Sequence, residues 1–346
     1  MILHVIKSNI YSGAENVVCQ IIKGLSGREE FVYMAPHGPI EDKLKSIGLY
    51  DCYRGIDKLT VAEIRKAVLE LNPEVVHAHD FTASVLCGYA LQGIVPVISH
   101  IHCNPLWLKN PLHPNSFSYW VSSRWFSQII TVSDSVMEEY VYGKRMKCPV
   151  TTLGNPFSAE QVLALAEDEK VEPSDILYCG RFNEAKNPLG AIKIFEALPN
   201  HDSLTFRMIG NGEQLEDCKK YASDHNLKII FEGFQDNVYK YMKSTKVLLM
   251  PSVFEGFGLV ALEAMALGKP VVCSGVGGLS GIVDESCGYV CGDTYAYSSV
   301  ITELLHKPAV YEQKATAARK RAAAFNNLDT YLENIERIYE NGKTHP

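Results

Sequence analysis

KVLLMPSVFEGFGLVALEAMALGKPVVCSG, residues 246–275, contains a complete crossover within one stretch. KVLLMP (246–251) is an aliphatic run of strand length, and Val253–Phe257 is a glycine-bearing loop. Gly258–Leu267 reads as a helix that Gly268 and Pro270 then stop, and PVVCSG (270–275) is a second strand. A strand, a covering helix and a strand imply parallel neighbours in one sheet. The helix is apolar on nearly every side and yet carries Glu263, while the loop before it carries Glu255. A buried carboxylate is costly unless hydrogen-bonded, so the pair asks for a partner.

The same alternation extends upstream through DILYCG (175–180), LTFRMIG (204–210) and KIIFEG (228–233). An earlier series comprises ILHVI (2–6), FVYMA (31–35), EVVHA (74–78), VPVISHI (95–101) and QIITV (128–132). After the first of these, Ala14, Val17, Val18, Ile21, Ile22 and Leu25 recur at helical spacing. The pattern predicts an α/β protein of two doubly wound parallel-sheet domains, residues 1–150 and 151–325. CPVTTLGNPFS (148–158) breaks the periodicity between them, followed by a polar helix containing EDEK (167–170). A final amphipathic helix within 326–346 presents Leu328, Tyr331, Leu332, Ile335, Ile338 and Tyr339 and can pack on either domain. Open α/β sheets bind ligands beyond the carboxyl ends of their strands, which makes a cleft between two facing domains the expected site.

Composition bounds the function. The chain has 346 residues, 47% hydrophobic and 21% charged, with a formal net charge of -7. Residues 1–150 hold 14 Lys/Arg against 14 Asp/Glu, leaving 19 against 26 beyond, so no phosphate-neutralising surface for nucleic acid is expected. Between Asp80 and Asp134 there is no acidic residue, and all three tryptophans, Trp107, Trp120 and Trp125, fall in that gap with Lys109 and Arg124. The ten cysteines are scattered without a CxxC pair, which predicts reduced thiols. No leader-like start or spanning apolar run is present, which predicts a cytoplasmic protein.

Several clusters are candidates for chemistry. Gly256 and Gly258 precede the helix of the opening stretch, and the amides of Phe257, Gly258 and Leu259 form its free N-terminus, which a phosphate can approach. Two ribose hydroxyls would satisfy Glu263 in bidentate fashion, and Glu255 can face sugar hydroxyls. The plainer alternative has Glu255 complementing the helix dipole and Glu263 paired to a cation elsewhere. YCGRFNEAKNP (178–188) ends a strand with Arg181 and Lys186, two cations suited to a departing diphosphate in a chain with no DxD-type metal motif; as solvated loop residues they would do nothing. In NIYSGAEN (9–16), Gly13 opens a helix after the first strand; in GNGEQLE (210–216), Gly210 and Gly212 follow another, lining a ligand or only turning the chain. VVHAHD (75–80) and SHIHCN (99–104) place His77/His79 and His100/His102 on strand faces, where four imidazoles and Asp80 can gather around zinc or serve as polar caps. His102 can also donate to a substrate hydroxyl. Aromatics among Pro and cations in 103–128 suit a membrane surface or a lipid-linked molecule; packing of Trp120 and Trp125 inside the first domain is the alternative.

Taken together, the EGFG…E arrangement with seven residues between its glutamates, the GR…K loop, the SGAE turn and the NP of 155–156 resemble glycosyltransferase family 4, the retaining GT-B enzymes. The resemblance implies two Rossmann-like domains facing an interdomain cleft, a nucleotide-sugar donor held mainly by the second, an acceptor on the first, and a last helix crossing back to the first. By it, Arg181 and Lys186 bind the donor diphosphate, Glu263 the ribose, Glu255 the transferred sugar, and Gly256 to Leu259 the phosphate and sugar. Gly13 approaches the phosphates, Gly210 and Phe234 lie along the donor, with Phe234 near the base, and His102 touches the sugar near the reacting carbon. The turn is SGAE where GGAE is commoner, so Ser12 leaves less room beside the phosphate. Relatives of this kind use UDP-sugars without a metal or other cofactor, and build capsule, exopolysaccharide or lipopolysaccharide on saccharide or lipid-linked acceptors, with peripheral membrane contact through 103–128. Two alternatives stay open: a catalytically silent sugar-nucleotide-binding partner of another transferase, and a metal-dependent hydrolase using the HxH pairs.

Overall fold

The computed structural model describes residues 1–167 and 170–344. It divides into two compact units: Met1–Pro156 together with the chain from Asn327 onward, and Phe157–Asn326.

The first unit is a parallel sheet of β1 (Ile2–Val5), β2 (Phe31–Pro36), β3 (Tyr53–Ile56), β4 (Val75–His79), β5 (Val97–Ile101), β6 (Phe126–Thr131) and β7 (Val150–Thr152), in the order β3-β2-β1-β4-β5-β6-β7. Alternation along the strands feeds two cores. Leu3, Val5, Val76 and Ala78 go to one face, whereas Ile2, Val75 and Ile98 go to the other. The second face is covered by the helix Gly13–Leu25 and by the last helix, Leu328–Thr344, whose Tyr331, Ile335, Ile338 and Tyr339 are buried there. The apolar stripe of that helix therefore lies in the first unit, where Arg28 pairs with Glu336 at 2.6 Å.

In the second unit the strands β8 (Ser174–Cys179), β9 (Phe206–Ile209), β10 (Ile229–Gly233), β11 (Thr245–Met250), β12 (Val271–Cys273) and β13 (Gly288–Val290) form a parallel sheet ordered β10-β9-β8-β11-β12-β13. The crossover from β11 to β12 runs through the helix Leu259–Ala266, with Ala261, Leu262, Ala264 and Met265 buried. Gly268 ends it at φ 71°, the left-handed conformation a helix stop favours.

Three strands carry no long apolar run and escape sequence reading: β3, β7 and β13. Each is an edge strand of three or four residues with partly exposed side chains. β7 lies inside 148–158, so that segment is not wholly irregular. The polar helix that follows is Ala159–Leu165 and stops short of Glu167; Asp168 and Glu169 of the EDEK segment lie outside the described residues. All ten cysteines are free thiols. No described helix is long and apolar enough to cross a membrane.

Candidate functional site

The strand order of the second unit reverses between β8 and β11, and ligands of open parallel sheets gather at such a switch point. Two loops leave the carboxyl ends of these neighbours, and both belong to clusters singled out by sequence. They are stitched together. The amide of Val253 donates to the carbonyl of Ala185 at 2.8 Å, and the Asn187 side chain donates to the carbonyl of Pro251 at 3.1 Å. Across them Lys186 Nζ meets Glu255 Oε2 at 2.5 Å, with the Lys186 side chain 28% and the Glu255 side chain 12% exposed. The pair makes a near-neutral couple rather than a bare cation. Arg181, on the same loop, is exposed. The hydroxyl of Tyr178 donates to the carbonyl of Arg181 at 2.8 Å and so fixes the turn from beneath.

The helix Leu259–Ala266 begins at this spot. Its N-cap, Gly258, has φ 105° and ψ 40°, and no side chain caps it. Such a backbone is strained for any residue with a Cβ, which here would also press on Leu279. An uncapped start presents N–H groups and positive dipole to an anion. Phe257 and Leu259 flank it, and the amide of Gly278 holds the loop by donating to the carbonyl of Glu255 at 3.2 Å.

One turn further along lies Glu263. The residue keeps some accessible surface, but its carboxyl is enclosed, and the loss of hydration pushes its pKa up to about 7. Its side-chain partner is the hydroxyl of Tyr239, donating at 3.2 Å, which acts weakly in the opposite direction. Among the described residues no cation pairs with it. The carboxyl thus retains acceptor capacity for groups from outside. Tyr239 escaped sequence reading because it sits on a separate short helix, Tyr239–Ser244, that tertiary packing alone brings to Glu263.

Other residues have different surroundings. Gly210 has φ 136°, and a Cβ there would fall on the carbonyl oxygen of Gly180; at Gly212, φ 153°, it would fall on that of Phe182. Both glycines let the loops after β8 and β9 touch, with Phe182 N–H donating to Asn211 at 2.9 Å. Phe234, after β10, is 54% exposed. In the first unit, Gly13 follows β1 with nothing within 4 Å of where a Cβ would stand. Ser12 turns its hydroxyl to Glu15 at 2.5 Å. His102 follows β5, its backbone N–H donating at 3.1 Å to Asp80, a residue held at φ 65°. His77, His79 and His100 are at most 1% exposed, so as a set they are interior. The tryptophans of the acid-free segment are half-buried: Trp107 packs on Phe81 and Trp120 stacks on Tyr142, each against the first core. What the segment does expose is Leu106, Leu112, Phe117, Lys109 and Arg124.

Comparison with known proteins matches residues 11–161 to Glycosyltransferase Family 4 and residues 164–321 to Glycosyl transferases group 1. The chain belongs to glycosyltransferase family 4. It is 28% identical over 285 residues to glycogen synthase of Mycobacterium tuberculosis, covering 77% of this chain and 68% of that protein. To N-acetyl-alpha-D-glucosaminyl L-malate synthase of Bacillus anthracis it is 21% identical over 311 residues, 83% and 80% of the two chains. Anabaena HepE, solved in complex with UDP-glucose, shares the fold with TM-score 0.82 at 18% identity over 98% of this chain and 99% of HepE. That fold is GT-B, and the chain is a glycosyltransferase. In this family member the structure brings Arg181, Lys186, Glu255, Gly256 to Leu259 and Glu263 to one edge of the second sheet, while Gly13 and His102 stand at the carboxyl edge of the first.

Proposed function

We propose that the protein moves a hexose from a UDP-sugar to a hydroxyl of a saccharide or lipid-linked acceptor in cell-surface polysaccharide biosynthesis, with retention and without a metal. The observation that carries the donor half is Glu263: an enclosed carboxyl with no cation paired to it among the described residues, one turn behind an uncapped helix start. Vicinal ribose hydroxyls fill its open acceptor positions, and the helix start takes a phosphate. Arg181 and Lys186 neutralise the diphosphate in place of a divalent ion. Glu255, freed from Lys186, receives hydroxyls of the sugar. In the transfer step the acceptor oxygen bonds to the anomeric carbon as the bond from that carbon to the diphosphate breaks. The acceptor proton passes to the departing phosphate oxygen, and Lys186 and the helix amides stabilise the charge that develops there. HepE and a pneumococcal O-GlcNAc transferase, both solved with UDP, make uridine the first base to test.

A thermal-shift panel of UDP-, GDP- and ADP-sugars tests the reading without knowledge of the acceptor. A UDP-sugar is expected to raise the melting temperature most, and a protein indifferent to all three would refute the donor site. Stabilisation by a UDP-sugar that no acceptor ever consumes would instead indicate the silent binding partner.

The exposed Leu106, Leu112 and Phe117 with Lys109 and Arg124 support peripheral contact with a membrane carrying the acceptor. The parent protein is expected to co-sediment with vesicles containing anionic lipid, and Leu112→Asp with Phe117→Asp to stay in the supernatant; equal sedimentation of the two would rule the patch out.

A further inference from the structure

The buried histidines form a line. Pairing places His4 beside His77 and His79 beside His100, all on the sheet face that the helix Leu328–Thr344 covers. His102 Nε2 lies 2.9 Å from His79 Nδ1, and His79 Nε2 lies 2.9 Å from His4 Nδ1. His4 Nε2 is 3.4 Å from the hydroxyl of Tyr339, which is 2.8 Å from His77 Nδ1, and His77 Nε2 is 3.2 Å from His100 Nδ1. The two ends of the line, His102 Nδ1 and His100 Nε2, are buried without an aligned partner among the described residues. So is the side-chain oxygen of Asn155, which stands close enough to His102 to favour a proton on that ring.

Burial pushes the pKa of every one of these imidazoles down, that of His4 to about 3, and pushes that of Tyr339 up. Each ring therefore holds one proton, and so does the hydroxyl. A neutral imidazole donates from one nitrogen and accepts at the other, and a hydroxyl donates once. All links can be made together only if every donor points the same way. With the donors pointing toward His100, the Asn155 amide can turn its NH2 to the His102 Nδ1 lone pair, but the His100 Nε2–H is left buried without an acceptor. With the donors pointing toward His102, its Nδ1–H reaches the Asn155 oxygen and only the His100 Nε2 lone pair is left. An orphaned buried N–H is costlier than an orphaned lone pair, so the second direction prevails.

We propose that His100, His77, Tyr339, His4 and His79 form a one-way hydrogen-bonded relay that holds the proton of His102 on Nδ1. Two imidazoles sharing a zinc ion at about 2.1 Å each, at a tetrahedral angle, would hold their nitrogens roughly 3.4 Å apart. The 2.9 Å links at His79 fit a shared proton instead. A consequence for transfer, which rests on the proposed donor reading, is that His102 is no base: its Nε2 lone pair is occupied by the proton of His79 and its Nδ1–H by the Asn155 oxygen, so the ring does not take the acceptor's proton. Tyr339, on a helix far along the chain, is a positioning residue for that N–H.

Long-range proton–nitrogen correlation spectra of protein labelled with nitrogen-15 in histidine read each tautomer directly, and loss of one signal set in His102→Gln assigns His102. The parent is expected to show His102 as the neutral Nδ1–H form near neutral pH. Tyr339→Phe, which interrupts the line at its centre, is expected to turn that single signature into a mixture of both tautomers. An Nε2–H or doubly protonated His102 in the parent, a folded Tyr339→Phe protein with His102 unchanged, or stoichiometric zinc in elemental analysis of the parent would each overturn the relay. Should Tyr339→Phe fail to fold, the parent spectrum and the zinc analysis still decide. A protein that shows the expected tautomer but binds no nucleotide sugar would keep the relay and refute the donor site alone.

Discussion

Lys186→Ala is expected to lower turnover of the preferred nucleotide sugar by about 10²-fold or more, measured as single-turnover hydrolysis or transfer. Two effects act in the same direction. The ammonium that would oppose charge on the departing diphosphate is gone, and Glu255, its partner at 2.5 Å, is left as an uncompensated anion beside it. Arg181 remains on the same loop, which is why turnover is reduced and not abolished. Lys186→Arg keeps the charge but spreads it over a planar fork, so it should recover only part of the loss. The fold is not expected to suffer, because the two loops remain joined through the Ala185 and Pro251 carbonyls. Parent-like turnover in Lys186→Ala would remove this residue from the chemistry.

Glu263→Gln is the second large effect, and it falls on binding. Each hydrogen bond from a ribose hydroxyl to a carboxylate contributes about 1.5–3 kcal/mol, so weakening one such bond raises Kd by roughly 10-fold to 100-fold. The pH dependence carries its own signature. A pKa raised from 4.5 to about 7 means that the empty folded protein holds a proton there that the unfolded chain releases. Stability of the empty protein should accordingly fall as pH rises from about 4.5 to about 7. Hydroxyl donors favour the charged form, so nucleotide affinity should rise over the same window, with a proton released on binding below pH 7. Glu263→Gln should flatten both curves. Titration calorimetry in two buffers of different ionisation enthalpy measures the released proton, and its persistence in Glu263→Gln would assign it elsewhere.

Much of this was legible in the chain. Ten strands announce themselves as aliphatic runs: nine lie inside their sheets, where a parallel strand covered on both faces needs apolar residues at nearly every position, and the tenth, β10, stands at an edge but keeps the run IIF. β3, β7 and β13 do not, because an edge strand is half solvated and can be built from YRGI, VTT or GYV. The donor loops were readable because the switch point joins segments that are each compact in sequence: GRFNEAK after one strand, EGFG after its neighbour. Tyr239 could not be found this way, since its relation to Glu263 is made by packing. The histidines divide similarly. Alternation along one strand pairs His77 with His79 and His100 with His102, but only register between strands adds His4, and only the covering helix adds Tyr339.

The last helix completes a core begun at the opposite end of the chain. Ile2, Val18, Ile22 and Val75 leave the ribosome early, yet the surface that seals them, Tyr331, Ile335 and Tyr339, is translated only after the whole of the second unit. During synthesis the first sheet must therefore wait with part of one apolar face, the part that the helix Gly13–Leu25 does not cover, open to water, dependent on chaperones or on speed, while the later-born unit can finish folding before it.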